Sequence, residues 1–170
     1  CSSDLGPKNA SLEQCDFGLG PGKRKVMVEK PGYEPAESDS GMFGGNSNWR
    51  GPVWFPTGYM IYRSLLRLDH GFGDTLQVPA TATHGPRTLN QAAREVAQRL
   101  VSIFERGPDG RRPVHGPRDL FQYDPHFRDK LLFFEYFHAD TGEGLGASHQ
   151  TGWTGLVGDL VLRLERYRKR

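Results

Sequence analysis

Thr88-Leu89-Asn90-Gln91-Ala92-Ala93-Arg94-Glu95-Val96-Ala97-Gln98-Arg99-Leu100-Val101-Ser102-Ile103-Phe104 is the stretch that decides the fold class of this chain. Thr88, followed three residues later by Gln91, is a capping-box pattern that satisfies two backbone donors at a helix start. Behind it Leu89, Ala92, Ala93, Val96, Ala97, Leu100, Val101 and Phe104 recur at three- and four-residue intervals and line one broad apolar face. Gly107-Pro108 stops the helix. Toward the N-terminus a Gly/Pro/Thr-rich loop covers 71–87. Before it, Tyr59, Met60, Tyr62, Leu65, Leu66 and Leu68 form a second helical stripe that begins after Pro56 and ends at Gly71. Toward the C-terminus Asp109-Gly110 marks a turn. An aromatic, His-rich irregular region follows from Val114 to His138, then a Gly-rich loop from Gly142 to Gly146. A last helix is expected from about Thr154, with Leu156, Val157, Leu160, Val161, Leu164 and Tyr167 inward. Residues 1–40 show little periodicity and read as loop with one short strand, Val26–Glu29. Helices joined by long polar and aromatic loops make an all-α fragment, and loops of that length are usually functional.

At 170 residues the chain has the length of one domain and can bury a real core. With 36% apolar residues, 22 Gly and 12 Pro it is loop-rich. The net charge is +2. Much of the excess sits in Arg163, Arg166, Arg168, Lys169 and Arg170, a solvated helix end where cations suit the dipole. No RNA- or DNA-binding motif accompanies it, so a nucleic-acid partner is not expected. Cys1 and Cys15 cannot form a zinc site alone, and a disulfide between them would close only an irregular loop. The sequon Asn9-Ala10-Ser11 would matter only in a secreted context. No run approaches the roughly 18 apolar residues of a membrane span, and no leader peptide is visible, so the expected compartment is the cytoplasm. A chain that opens Cys-Ser-Ser-Asp without Met reads as a piece of something longer.

Three segments carry chemistry. Gly44-Gly45-Asn46-Ser47-Asn48-Trp49-Arg50-Gly51-Pro52-Val53-Trp54-Phe55-Pro56 gathers two indoles, a guanidinium, two carboxamides and two prolines. Trp and Arg hold flat, polar-edged ligands by stacking and forked hydrogen bonds, and the prolines fix the backbone that presents them. A sugar fits such a set; an aromatic core corner at a helix entrance would use it too. The second segment is Leu131-Leu132-Phe133-Phe134-Glu135-Tyr136-Phe137-His138. A carboxyl inside so apolar a run has its ionised form disfavoured unless donors are supplied, which is how a carboxyl is tuned for acid/base work. Glu135 could equally lie on an exposed face or pair with Arg128 or Arg111. The third, Gly144-Leu145-Gly146-Ala147-Ser148-His149-Gln150-Thr151-Gly152-Trp153-Thr154-Gly155, lets the backbone approach a ligand that His149, Gln150 and Trp153 can bond or stack upon. Trp153 could instead be the first buried residue of the last helix. The histidines His115, His126, His138 and His149 and the aspartates Asp119, Asp124 and Asp129 lack metal-binding spacing, and no nucleophile elbow occurs.

Taken together, the three segments resemble the C-terminal part of a glycoside hydrolase family 63 catalytic domain. That family contains the processing α-glucosidases, with bacterial, fungal and mannosylglycerate-hydrolase-like relatives. The similarity runs from about Tyr33 to Tyr167. The Trp-Arg-Gly-Pro-x-Trp element is also similar to that of trehalases. The resemblance implies a partial (α/α)6 barrel with long aromatic-rich loops over residues 33–170, preceded by an irregular segment 1–32 that matches nothing in the family. It implies hydrolysis of α-glucosidic or related bonds with inversion, Glu135 as general base and no cofactor or metal. Asn46, Trp49, Arg50, Trp54, Tyr136, His149, Gln150 and Trp153 would bind an oligosaccharide or small glycoside. An inverting enzyme also needs a general acid about 6.5–9.5 Å from the base. The segment that carries it in the family has no counterpart here, and neither has the N-terminal part of the barrel. The chain alone is therefore expected to be inactive; a non-catalytic sugar-binding module and a truncated remnant are the alternatives.

Overall fold

A computed structural model describes residues 51–80 and 85–169, Ala36, and the strands Leu12–Cys15 and Val26–Glu29. The chain divides into two compact units, Cys1–Glu34 and Pro35–Arg170. In the first, β1 (Leu12–Cys15) pairs antiparallel with β2 (Val26–Glu29), with Leu12 opposite Glu29 and Cys15 opposite Val26. The expected strand is β2. The side chains of Cys1 and Cys15 and the sequon lie outside the described residues.

The second unit is built on α1 (Phe55–Phe72) and α2 (Leu89–Ser102). Pro56 in the first turn of α1 costs no hydrogen bond there, and Gly73, at φ 55°, ends the helix in a conformation that a side chain would resist. Thr88 Oγ1 accepts from Gln91 N–H at 3.1 Å while Gln91 Oε1 accepts from Thr88 N–H at 2.9 Å, so the capping box forms as expected. Asp69, near the end of α1, accepts from the backbone N–H of Asn90 at 3.0 Å and places a carboxylate at the positive end of α2. Between the helices a two-residue pair, β3 (Gln77–Val78) and β4 (Arg87–Thr88), occupies part of the expected loop.

After α2 the chain turns at Gly110, which has φ 77°, then passes through a 3₁₀ turn, Pro113–His115, and α3 (Asp119–Tyr123). β5 (Tyr136–Phe137) and β6 (Gly144–Leu145) form an antiparallel pair. The expected last helix is two helices, α4 (Thr151–Thr154) and α5 (Val157–Arg168). Among the described residues of this unit, the helices come with two small antiparallel ladders, β3–β4 and β5–β6.

The core joins Phe55 and Tyr62 of α1, Ala93, Ala97, Leu100 and Val101 of α2, Phe104, Val114, Phe137, and Leu160 and Leu164 of α5. Phe55, Phe104 and Phe137 meet edge-on at centroid distances of 5.4–5.8 Å, the arrangement favoured by ring quadrupoles. Tyr59 donates to Asp159 at 2.6 Å and Arg163 to the same oxygen at 2.5 Å, tying α1 to α5. Burial works against the Asp159 anion, but the hydrogen bonds from Arg163 and Tyr59 outweigh it and hold the carboxyl below its usual range. Among the described residues no helix is long and apolar enough to cross a membrane.

His115 is wholly buried, stacks on Phe121 at 5.4 Å, and neither ring nitrogen finds a hydrogen-bond partner. Burial, reinforced by Arg112, Arg106 and Arg118, pushes its pKa below the usual imidazole value. A base that is harder to protonate folded than unfolded leaves stability intact above the unfolded pKa of about 6.5 and erodes it as pH falls below that value. We expect the urea midpoint to fall between pH 7.5 and 5.5, and His115→Phe to flatten much of that fall while keeping the stack. An unchanged slope in the variant would remove His115 from the explanation.

Candidate active site

The site is assembled by backbone pairing around β5. Val53 and Phe137 exchange two backbone hydrogen bonds, 2.8 and 2.9 Å, which lays the segment before α1 beside β5. On the other side β6 pairs with β5, Tyr136 opposite Leu145 and Phe137 opposite Gly144. One residue farther along, Glu135 N–H donates to the Ala147 carbonyl at 2.8 Å. Gly146 is thereby an extra residue, a bulge, and its φ of 68° is the left-handed value such bulges use. Beyond it Gln150 N–H donates to the Phe133 carbonyl at 2.7 Å, and the buried Thr154 hydroxyl donates to the Phe134 carbonyl. The segment from Gly144 to Thr154 is thus pinned along the whole of Phe133–Phe137.

These pairings gather the aromatic side chains. The Trp54 ring stacks on Tyr136 at 4.8 Å with 24° between planes, and Trp153 lies 5.7 Å from Trp54 at 51°. Trp54 and Tyr136 are buried, and Trp153 is half-exposed. Trp54 is therefore partly the core corner that sequence offered as the alternative, with Trp153 forming the outer edge of the cluster. Glu135 is half-buried at the rim, and the Ala147 backbone N–H donates to its Oε2 at 3.3 Å. That is a donor of the kind a carboxylate in an apolar run requires. Glu135 forms no ion pair with Arg111 or Arg128, which are paired with Asp119 and Asp129. His149 is exposed and Gln150 half-buried on the adjoining loop. Asn46, Trp49 and Arg50 lie outside the described residues.

Two features escaped sequence reasoning. Gly146 was read only as a small residue in a Gly-rich loop. A Cβ there would lie 2.7 Å from Glu135 Oε2 and 2.8 Å from Tyr136 Cε1, so the carboxylate sits directly over the bulge. Gly146→Ala is accordingly expected to cost about 1–3 kcal/mol through backbone strain and to displace Glu135. Glu135 side-chain and Ala147 amide chemical shifts that are identical in Gly146→Ala and the parent would contradict this. The second is Arg118, which donates to the Gly144 carbonyl at 3.4 Å, pairs with Glu143 at 3.3 Å and lies 5.3 Å from the Phe134 ring centre. It buttresses β6 from outside the Gly-rich motif, and no local pattern marked it.

Asp124 and Asp129 are engaged elsewhere. Asp124 accepts from His126 N–H at 2.8 Å in a tight turn, and Asp129 binds Arg106 at 3.0 Å. An open hollow of about 430 Å³ is lined by Arg106, Asp109, Gln122, Tyr123 and Asp129, away from Glu135. Arg106 there is already committed to Asp129 and to the Gly110 and Arg128 carbonyls, and Arg128, which also lines the hollow, pairs with Asp129.

The chain is similar to a protein of Saccharomyces cerevisiae, "Uncharacterized protein YMR196W", at 49% identity over 132 residues. That similarity covers 76% of this chain and 12% of the yeast protein, so the chain spans a small part of its relative's length. No family model and no solved structure matches the chain.

Proposed function

We propose that residues 33–170 form the base-bearing wall of an inverting glycoside hydrolase of the (α/α)6 barrel class, acting on α-glucosidic or related bonds. In this reading Glu135 deprotonates the water that attacks the anomeric carbon, while the general acid and the remaining barrel helices belong to a longer polypeptide. The observation that carries it is the placement of Glu135. A carboxylate stands over a glycine bulge and takes a backbone N–H from Ala147, and the same glycine lies against the ring of Tyr136, on which Trp54 stacks. An indole edge beside a carboxylate suits a pyranose, which has an apolar face and a hydroxyl rim. Supply of the acid from elsewhere in a longer polypeptide is consistent with the engagement of Asp124 and Asp129 in a turn and an ion pair.

Calorimetric titration of the chain with methyl α-glucoside and gluco-oligosaccharides tests the reading. We expect saturable binding that is weakened at least tenfold in Trp153→Ala, with no release of p-nitrophenol from p-nitrophenyl α-glucoside. Absence of binding to any of these glycosides would count against a sugar site. Turnover that survives Glu135→Gln would remove Glu135 from its role.

A further inference from the structure

The hollow beside Gly110 is built from side chains that the proposed reaction does not use. Its volume of about 430 Å³ falls within the roughly 300–1,000 Å³ usual for small-molecule sites. Arg106 holds it together. One outer nitrogen donates to the Gly110 carbonyl at 2.8 Å, and the other to the Arg128 carbonyl and to Asp129, each at 3.0 Å. The turn after α2 is thereby tied to the chain at 128–129. Gln122 is buried, and its amide bonds to the backbone N–H and carbonyl of Arg112 and to the Gly116 carbonyl. Tyr123 closes one side. Arg111 donates to its hydroxyl at 2.6 Å and lies 5.2 Å from its ring centre, yet the residue stays 56% exposed. The walls are set before any ligand arrives, which lowers the ordering cost of binding.

Charge decides what the hollow can take. Arg106 and Arg128 in its walls are matched by Asp109 and Asp129, so an anion meets two carboxylates and a cation two guanidiniums. A neutral polyol gains from both signs, because each hydroxyl can donate to a carboxylate and accept from a guanidinium. Groups for that are at hand. Among the described residues Arg128 is paired only through its Nε, 3.5 Å from Asp129, which leaves its two outer nitrogens as donors. Asp109 uses one carboxylate oxygen on the Arg111 N–H, and Asp129 stands at the rim with 70% of its side chain exposed. The Tyr123 ring adds an aromatic surface for the apolar face of a pyranose. We propose that this hollow binds a neutral sugar residue, as an accessory site whose lining includes neither Glu135 nor the Trp54 cluster. The inference goes beyond the hydrolytic reading, and either can fail without the other.

Amide chemical shifts of the chain, titrated with maltotriose, test it without reference to activity. Saturable shifts are expected at the Gly110, Tyr123 and Asp129 amides, with a dissociation constant in the millimolar range of small, few-contact sites. Sodium phosphate should produce no saturable shift there. Arg128→Ala and Tyr123→Ala should each weaken the maltotriose response at least fivefold. Both side chains are more than half exposed, so the melting temperatures of the variants should hold. Trp153→Ala should leave the response at Gly110 unchanged, which separates this site from the one beside Glu135. Loss of the Gly110 response in Trp153→Ala, or shifts confined to Gly146 and Ala147, would overturn the proposal and leave a sugar site at Glu135 standing. Saturable shifts with phosphate and none with maltotriose, or no response to either, would overturn it as well. Shifts at Gly110 with none at Ala147 would support this site and count against the other.

Discussion

Glu135→Gln, made in a longer polypeptide that carries this segment, is expected to lower kcat by roughly 10²–10⁴-fold, the usual contribution of a positioned general base. KM should change little, because Gln keeps the size of the side chain and still accepts from Ala147 N–H. The base is needed only as the water attacks, so its loss raises the barrier without loosening the ground state. In Glu135→Ala, where truncation leaves room for a small anion, exogenous azide or formate should restore part of the rate if the defect is only the missing carboxylate. Retained kcat would eliminate Glu135 as base. A parallel loss of binding and rate would instead make it a substrate ligand. Gly146→Ala tests the same geometry from beneath: it leaves the carboxylate in place chemically and moves it, so kcat should fall with the carboxyl intact.

What was legible in the sequence was local. Thr88 and Gln91 define the start of α2 because a capping box is completed within four residues, and the structure forms both of its hydrogen bonds. Val26–Glu29 was legible as a strand, whereas its partner Leu12–Cys15 was not, since Leu-Glu-Gln-Cys has no alternation to read. Strands of two residues, such as Tyr136–Phe137 and Gly144–Leu145, are too short for any periodicity. They exist because Val53, Phe137 and Gly144 come together from distant parts of the chain. The run around Glu135 suggested a carboxyl engulfed by aromatics. Pairing with the next strand buries Phe134, Tyr136 and Phe137 and leaves Glu135 at the rim, a distinction that depends on register. The gathering of Trp54, Tyr136 and Trp153 could be suspected from residue types. That Trp54 stacks on Tyr136 could not, because contact across more than eighty residues is a tertiary fact.

Phe137→Ala is expected to cost about 3–5 kcal/mol, the largest effect on stability of any substitution considered. The side chain is wholly buried, and its ring meets Phe55 at 5.4 Å and Phe104 at 5.7 Å, each edge-on. Those two rings belong to α1 and to the turn just after α2, so removing the third opens a void where the helices and β5 converge. A domain of this size is stable by only about 5–15 kcal/mol, so the loss is a large share of the whole. Phe137→Leu, which keeps most of the volume, should cost less, and Trp153→Ala, at the half-exposed edge of the cluster, less than Phe137→Ala. Urea midpoints rank the three, and near-ultraviolet dichroism reports the Trp54–Tyr136 stack. The same backbone position pairs with both Val53 and Gly144, so in Phe137→Ala the aromatic dichroism should fade at lower urea than the helical signal. Coincident loss of the two signals at the parent's midpoint would show that the three-ring contact does not hold α1 to β5. The site would then owe its geometry to the Thr154–Phe134 and Gln150–Phe133 hydrogen bonds on its other side.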